Sequence, residues 1–152
     1  LTNLTQADFV DWGNADNYVK AVGVGECAGV VIDLVATLLL EAKDKLTFAQ
    51  EAFDDKKWSD AIYLAYAGFV NGAKAILLAE NQKTNHHAGI IDLFDTVFIE
   101  TEKIELSSSL KDLVYQINKN EPSEAFAKQY IQEAILFFQT IETYRDKDLA
   151  NV

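Results

Sequence analysis

Residues 58–79 read WSDAIYLAYAGFVNGAKAILLA, and the helix they spell decides the fold. Trp58, Ile62, Ala65, Phe69, Ala73 and Ile76 recur at three- and four-residue steps, the spacing of one buried stripe on an α-helix. Tyr63, Tyr66, Val70 and Leu77 lay a second apolar stripe beside the first. A helix apolar over so much of its circumference has to be covered by several neighbours, so the stretch reads as the central helix of a bundle. Gly68 and Gly72 stand one turn apart within it, and each costs about 1 kcal/mol of helix propensity against alanine. That cost is offset where a neighbouring helix, or a ligand, approaches the backbone closely.

Upstream, Ala28 to Phe53 carries Val31, Leu34, Leu38, Ala42, Leu46, Ala49 and Phe53 as a second helical stripe. Its first half, GVVIDLVATLLL, is apolar nearly all round. A membrane span needs about 20 apolar residues, and one here would have to take in Glu26 and Asp33. The expectation is therefore no membrane contact. Val31, Leu34, Val35 and Leu38 become candidate interface residues, for a second copy of the chain or for the rest of a larger polypeptide. DDKK at 54–57 is a polar elbow, with Ser59 as N-cap of the central helix.

Downstream, ENQKTN at 80–85 breaks the pattern, and Thr84 or Asn85 is placed to cap a short helix through Ile90, Ile91, Leu93, Phe94, Val97 and Phe98. After the charged link ETEKIE, Ser109 with Asp112 resembles a capping box that opens a short helix with Leu110, Leu113, Val114 and Ile117. Pro122 suits the first turn of a final helix, whose stripe is Phe126, Tyr130, Ala134, Phe137, Ile141 and Tyr144. The fold class is all-α, an up-and-down bundle of four to five main helices. The organisation is an irregular N-terminal arm at 1–27, a helical bundle at 28–146 and a short tail at 147–152.

Composition bounds the function. A chain of 152 residues fits one domain with a substantial core, and one proline with seven glycines leaves little material for hairpins. The chain opens on Leu1 and contains no methionine, so it is expected to be a piece of a longer protein. Twenty-four acidic against thirteen basic residues give a net charge of −11, and Arg145 is the sole arginine. Phosphate backbones bind through cationic side chains, so a nucleic-acid partner is not expected. The single Cys27 rules out an internal disulfide and, with no signal peptide in view, fits a cytoplasmic protein.

Several residues could carry chemistry. His86 and His87 could ligate a metal or exchange protons, but neighbours on a helix point about 100° apart, so capping and exposure at a helix start is the plainer reading. Cys27 could be a thiolate nucleophile at a helix start, against the commoner buried role. Asp54, Asp55 and Asp60, and Glu100, Glu102 and Glu105, lack the fixed oxygen spacing of a calcium loop and read as solvated charge. Gly23, Gly25 and Ala28 match a dinucleotide-loop spacing, yet no alternation of strands and helices follows, so a flexible lead-in is preferred. Trp58, Tyr63, Tyr66 and Phe69 could stack on a base, though at this spacing they read first as core. No metal or cofactor is expected.

The order of elements resembles the HEPN family, helical bundles found beside minimal nucleotidyltransferases. The resemblance runs from Ala49 to Tyr144 through AQEAFDDKKWSDAIYLAY, AKAILLAEN, TNHHAGIIDLF and AKQYIQEAILFFQTIETY. It implies an all-α bundle that in some relatives binds nucleotides or cleaves RNA, while a dimerising role is expected from the broad apolar surface of Ala28–Leu40 and the central helix. The ribonuclease members use an arginine with a histidine four to six residues later, near the start of the last helix. Here that region is INKNEPSEAF, at 117–126, with neither residue, and Val70 and Asn71 stand where many relatives carry an acidic–basic pair. The opening stretch, YVKAVGVGECAGVVIDLVATLLLEA, is also similar to an extension that follows sirohaem nitrite or sulfite reductases. The expectation is therefore a non-catalytic accessory or oligomerisation module of a larger protein. The alternative is a nucleotide or small-ligand module, its groove formed by Tyr66, Gly68, Gly72, Lys74, His86 and His87. Third comes a HEPN ribonuclease.

Overall fold

A computed structural model describes residues 24–82 and 86–150, with backbone alone for 24–31. Three long helices carry the architecture: α1 (Val24–Asp54), α2 (Trp58–Ala79) and α5 (Glu124–Ala150). Between the last two lie α3 (His87–Phe94), a π-helical turn (Asp95–Ile99), α4 (Leu110–Val114) and a 3₁₀ turn (Tyr115–Asn118). Among the described residues there is no strand, so the fold is all-α.

Helix α2 is central, as its two stripes require. Ala61, Ala65, Phe69, Ala73 and Ile76 are fully buried, and α1 and α5 both pack along it. Its length and composition would suffice to cross a membrane, but most of its apolar window is buried inside the fold, as a core helix must be. The two glycines set how closely the long helices approach. A Cβ on Gly68 would lie 2.6 Å from Cδ2 of Leu46 on α1, and one on Gly72 would lie 2.8 Å from Cδ1 of Ile141 on α5. Each glycine thus admits one neighbour, and the lost helix propensity is offset by packing rather than by a ligand.

Aromatic rings tie α5 to the rest. Phe69 stands 5.3 Å from Tyr130 and 5.4 Å from Phe137, and Phe94 lies 5.4 Å from Phe137 between ring centroids. The buried Tyr130 hydroxyl donates to the Val114 carbonyl at 2.8 Å, which satisfies the phenol and pins α5 to α4. Arg145, also buried, makes an ion pair with Asp148 at 3.6 Å.

Local signals explain the joints. Helices α1 and α2 both end in Schellman-type closures, with Lys56 and Asn81 at positive φ; Lys57 N–H donates to Ala52 O, and Gln82 N–H to Leu77 O. The π turn sets Asp95 where its carboxylate accepts the Leu110 N–H at 2.7 Å and the Lys111 N–H at 3.0 Å. Ser109 Oγ accepts the Asp112 N–H at 3.1 Å, as the capping pattern led one to expect.

Four local expectations need correction. The residue capping α2 is Lys57, with no side-chain hydrogen bond, so Ser59 lies inside the helix. Ser123, not Pro122, opens α5, accepting the Phe126 N–H at 3.1 Å. Helix α1 begins at Val24, so the glycine-rich lead-in is helical from there on, and α5 continues through 147–150. The arm at 1–23, Thr84, Asn85 and the side chains of Cys27 and Val31 lie outside the described residues.

Candidate functional site

The second stripe of α2 does not share the fate of the first. Val70 and Leu77 are buried, but Tyr63 is 66% exposed and Tyr66 half-buried. Between them and the segment entering α5 lies a hollow of about 300 Å³, lined by Ser59, Ile62, Tyr63, Tyr66, Ile117, Asn120, Pro122 and Phe126. It forms because the 3₁₀ turn and the proline that follows bring the chain round to α5 without placing a helix over this end of α2.

One titratable pair adjoins it. The Tyr66 hydroxyl is 3.2 Å from Nδ1 of His87, and the two rings lie 5.9 Å apart at 56°. His87 is the first residue of α3 and is exposed; His86 caps that helix without a side-chain bond to it. Burial, then the neighbouring Tyr115 and Tyr63, push the Tyr66 phenol above its ordinary value, so it stays protonated at neutral pH. A protonated phenol facing an imidazole nitrogen can donate to it or accept from it, and the choice sets which imidazole tautomer is held.

The other ligand-site candidates do not join this pair. Gly68 and Gly72 are buried against α1 and α5. Lys74 lies about 12 Å further along α2 from Tyr66 at 1.5 Å per residue; burial lowers its ammonium, and Glu41 partly offsets that. Of the interface candidates, Val35 and Leu38 are buried against Ala75 and Leu78 of α2, with Leu34 packed beside them, so these side chains are spent within the chain. Phe69 belongs to the core, whereas Trp58 packs on Phe53 at 5.1 Å across the elbow. Among the described residues no three His, Cys, Asp or Glu side chains gather as a metal site.

Of the other lining residues, Ser59, Ile62, Ile117, Pro122 and Phe126 read in the sequence as cap, turn or core positions, and Asn120 is the one the sequence did not single out. The available signal was the break at Asn118–Pro122 opposite two tyrosines left over from a core stripe. On the far side of the 3₁₀ turn a second hollow is lined by Lys111, Asp112, Tyr115, Gln116, Asn118 and Lys119. Arg145 is remote from both, some 28 Å of helix beyond Phe126.

The family model for the HEPN domain matches residues 35–133, well over half the chain. The chain belongs to the HEPN domain family. It is also similar to a protein of Methanocaldococcus jannaschii named "Putative toxin MJ0605", at 29% identity over 115 residues, covering 71% of this chain and 86% of that protein. A HEPN chain with a toxin-named relative aligned over most of its length overturns the expected non-catalytic accessory module. The nucleotide or small-ligand module fits no better, because the glycines meant to open its groove are packed shut. The accessory-module expectation rested on a missing Arg–His spacing at the start of α5, and spacing within one segment does not report what other helices bring beside it. The His87 imidazole comes from α3 and pairs with the Tyr66 hydroxyl of α2.

Proposed function

We propose that this HEPN chain acts as a toxin of the ribonuclease type, with His87 as its proton-transfer group and Tyr66 as the residue that orients it. The observation that carries the reading is the alignment with a toxin-named relative across 86% of that protein. The Tyr66–His87 pair, at the mouth of an aromatic hollow, supports the choice of residues.

In the tautomer with Nδ1–H donated to the Tyr66 oxygen, the Nε2 lone pair of His87 is open towards solvent. It takes the proton of a ribose 2′-hydroxyl as O2′ bonds to phosphorus and the P–O5′ bond breaks. The departing O5′ takes a proton from water, and the imidazolium returns its own to solvent. The products are a 2′,3′-cyclic phosphate and a 5′-hydroxyl end. One positioned acid–base group contributes about 10²–10⁴ in rate. With no arginine nearby, charge relief at the phosphate falls to Lys111 and Lys119 across the 3₁₀ turn, and modest turnover is expected. The reductase attachment rests on residues upstream of most of the matched span and forms no part of this reading.

The test is inducible expression in a bacterial host, with growth and RNA ends followed together. Growth arrest should accompany fragments ending in cyclic phosphate. His87→Ala should abolish both, and Tyr66→Phe should slow cleavage about tenfold or more while leaving the fold intact. Arrest that persists in His87→Ala, or the absence of cleaved RNA, would overturn the proposal.

A further inference from the structure

The hollow beside Tyr66 has features the cleavage step does not use, and, resting on that RNA-directed reading, they identify what part of the substrate it holds. Its walls are Ile62, Tyr63 and Tyr66 on one side and Ile117, Pro122 and Phe126 on the other. The Tyr63 ring lies 6.5 Å from that of Tyr66 and is two-thirds exposed, an aromatic face at the mouth with little packing role. Asn120 sits at the rim. Its Nδ2 donates to the Gln116 carbonyl at 2.9 Å, which anchors the amide through its nitrogen. Its Oδ1 makes no hydrogen bond among the described residues and stands as a fixed acceptor. A flat apolar wall with one acceptor at its edge matches a planar heterocycle that carries an amino donor on its own edge.

Charge favours the same occupant. At −11 overall, the chain offers a polyphosphate little attraction. Lys111 and Lys119 line the adjoining hollow, with Asp112 beside them. A strand crossing that turn would meet two cations at its backbone, so most of its affinity has to come from stacking, which changes binding about five- to hundredfold per base.

We propose that the hollow binds one unpaired nucleobase of a single-stranded RNA, stacked on Tyr63 and donating an exocyclic amino group to Asn120 Oδ1. The amino-bearing bases, adenine and cytosine among them, are accepted over uracil, whose N3–H lies between two carbonyl oxygens that repel the amide oxygen. The neighbouring ribose is thereby delivered to His87.

The experiment measures binding of the full chain to short fluorescent 2′-O-methyl oligonucleotides of adenine, cytosine or uracil, which lack the nucleophile and cannot be cleaved. Adenine and cytosine strands should bind about tenfold more tightly than uracil. Tyr63→Ala should lose about that factor for all three, and Tyr63→Phe should retain the binding. Asn120→Ala should level the three bases without weakening the uracil strand. Equal or absent binding of the three strands, or a preference unchanged in Asn120→Ala, overturns the proposal. Base-selective binding without cleavage of the unmethylated RNA would sink the ribonuclease reading and keep the base pocket. Cleavage without base preference would do the reverse.

Discussion

Tyr66 and Phe69 lie one turn apart on α2, and both belong to apolar stripes of the same periodicity. Phe69 is fully buried against Tyr130 and Phe137 of α5. Tyr66 faces the open hollow, its hydroxyl on His87. Nothing in the helix itself separates them; the difference is what stands opposite. Phe69 meets the middle of α5, a continuous helix, whereas Tyr66 meets the turn and proline before α5 begins. The same aromatic spacing therefore builds core where a helix covers it and an open hollow where the cover is a loop.

The widest gap between these two residues should show in stability. Truncating a large buried aromatic leaves a cavity that the surrounding helices fill only in part, so Phe69→Ala should cost about 3–5 kcal/mol. Tyr66→Phe removes one hydroxyl from a half-exposed hydrogen bond and should cost under about 1 kcal/mol. Urea unfolding followed by far-ultraviolet circular dichroism measures both. Comparable losses would mean that Tyr66 is core after all, and the contrast would fail.

A finer contrast runs along the packed face. Alanine at either glycine gains about 1 kcal/mol of helix propensity, and the sign of the result depends on whether the neighbour can yield. At Gly68 the new Cβ meets Leu46 Cδ2 at 2.6 Å and Cγ at 3.0 Å, so the branch point must move as well as the tip. At Gly72 it meets the end of Ile141, Cδ1 at 2.8 Å, with Phe137 no nearer than 3.4 Å. Overpacking costs about 1–3 kcal/mol. Gly68→Ala should therefore destabilise by about 1–2 kcal/mol, and Gly72→Ala should fall near zero. The same urea titration decides it, and a reversed order would show that α5 is the more rigidly seated neighbour.

These contrasts show how much was legible in the sequence. The stripes on α1, α2 and α5 named the core because burial along a helix repeats at a fixed period, and Ser109 was readable because a cap acts over three residues. The glycine pair was recognised as a place of close approach, but the approaching residues, Leu46 and Ile141, are distant in sequence. The candidate site was legible in part. Tyr66 and His87, 21 residues apart on different helices, both stand among the groove residues expected from the sequence, whereas Asn120, from a third segment, does not. Local patterns report local physics. A site assembled across three elements leaves its trace only in residues that local packing does not account for, here two tyrosines beyond the core stripe and a histidine at a helix start.

The smallest expected effect concerns the other end of α2. Glu80 there accepts the Lys103 ammonium at 3.3 Å on one oxygen and the Tyr144 hydroxyl at 3.2 Å on the other, joining α2, the loop after the π turn and α5. Burial, then the Glu80 carboxylate, push the Tyr144 phenol up to about 12. In the unfolded chain a tyrosine loses its proton near pH 10. Between about pH 10 and 12 the folded chain holds that proton while the unfolded chain has released it, so the unfolded state binds fewer protons and stability falls as pH rises. This contribution is fully present below about pH 10 and is lost by about 12. Tyr144 is only partly buried, so solvent screening keeps the slope shallow. Tyr144→Phe should remove that part of the alkaline slope and leave the part due to the more deeply buried Tyr130, whose phenol burial also pushes up. Thermal unfolding at stepped pH from neutral to about 12 measures it. An unchanged slope in Tyr144→Phe would assign the alkaline loss to Tyr130 and Tyr66, and would leave Glu80 joined to the loop through Lys103 alone.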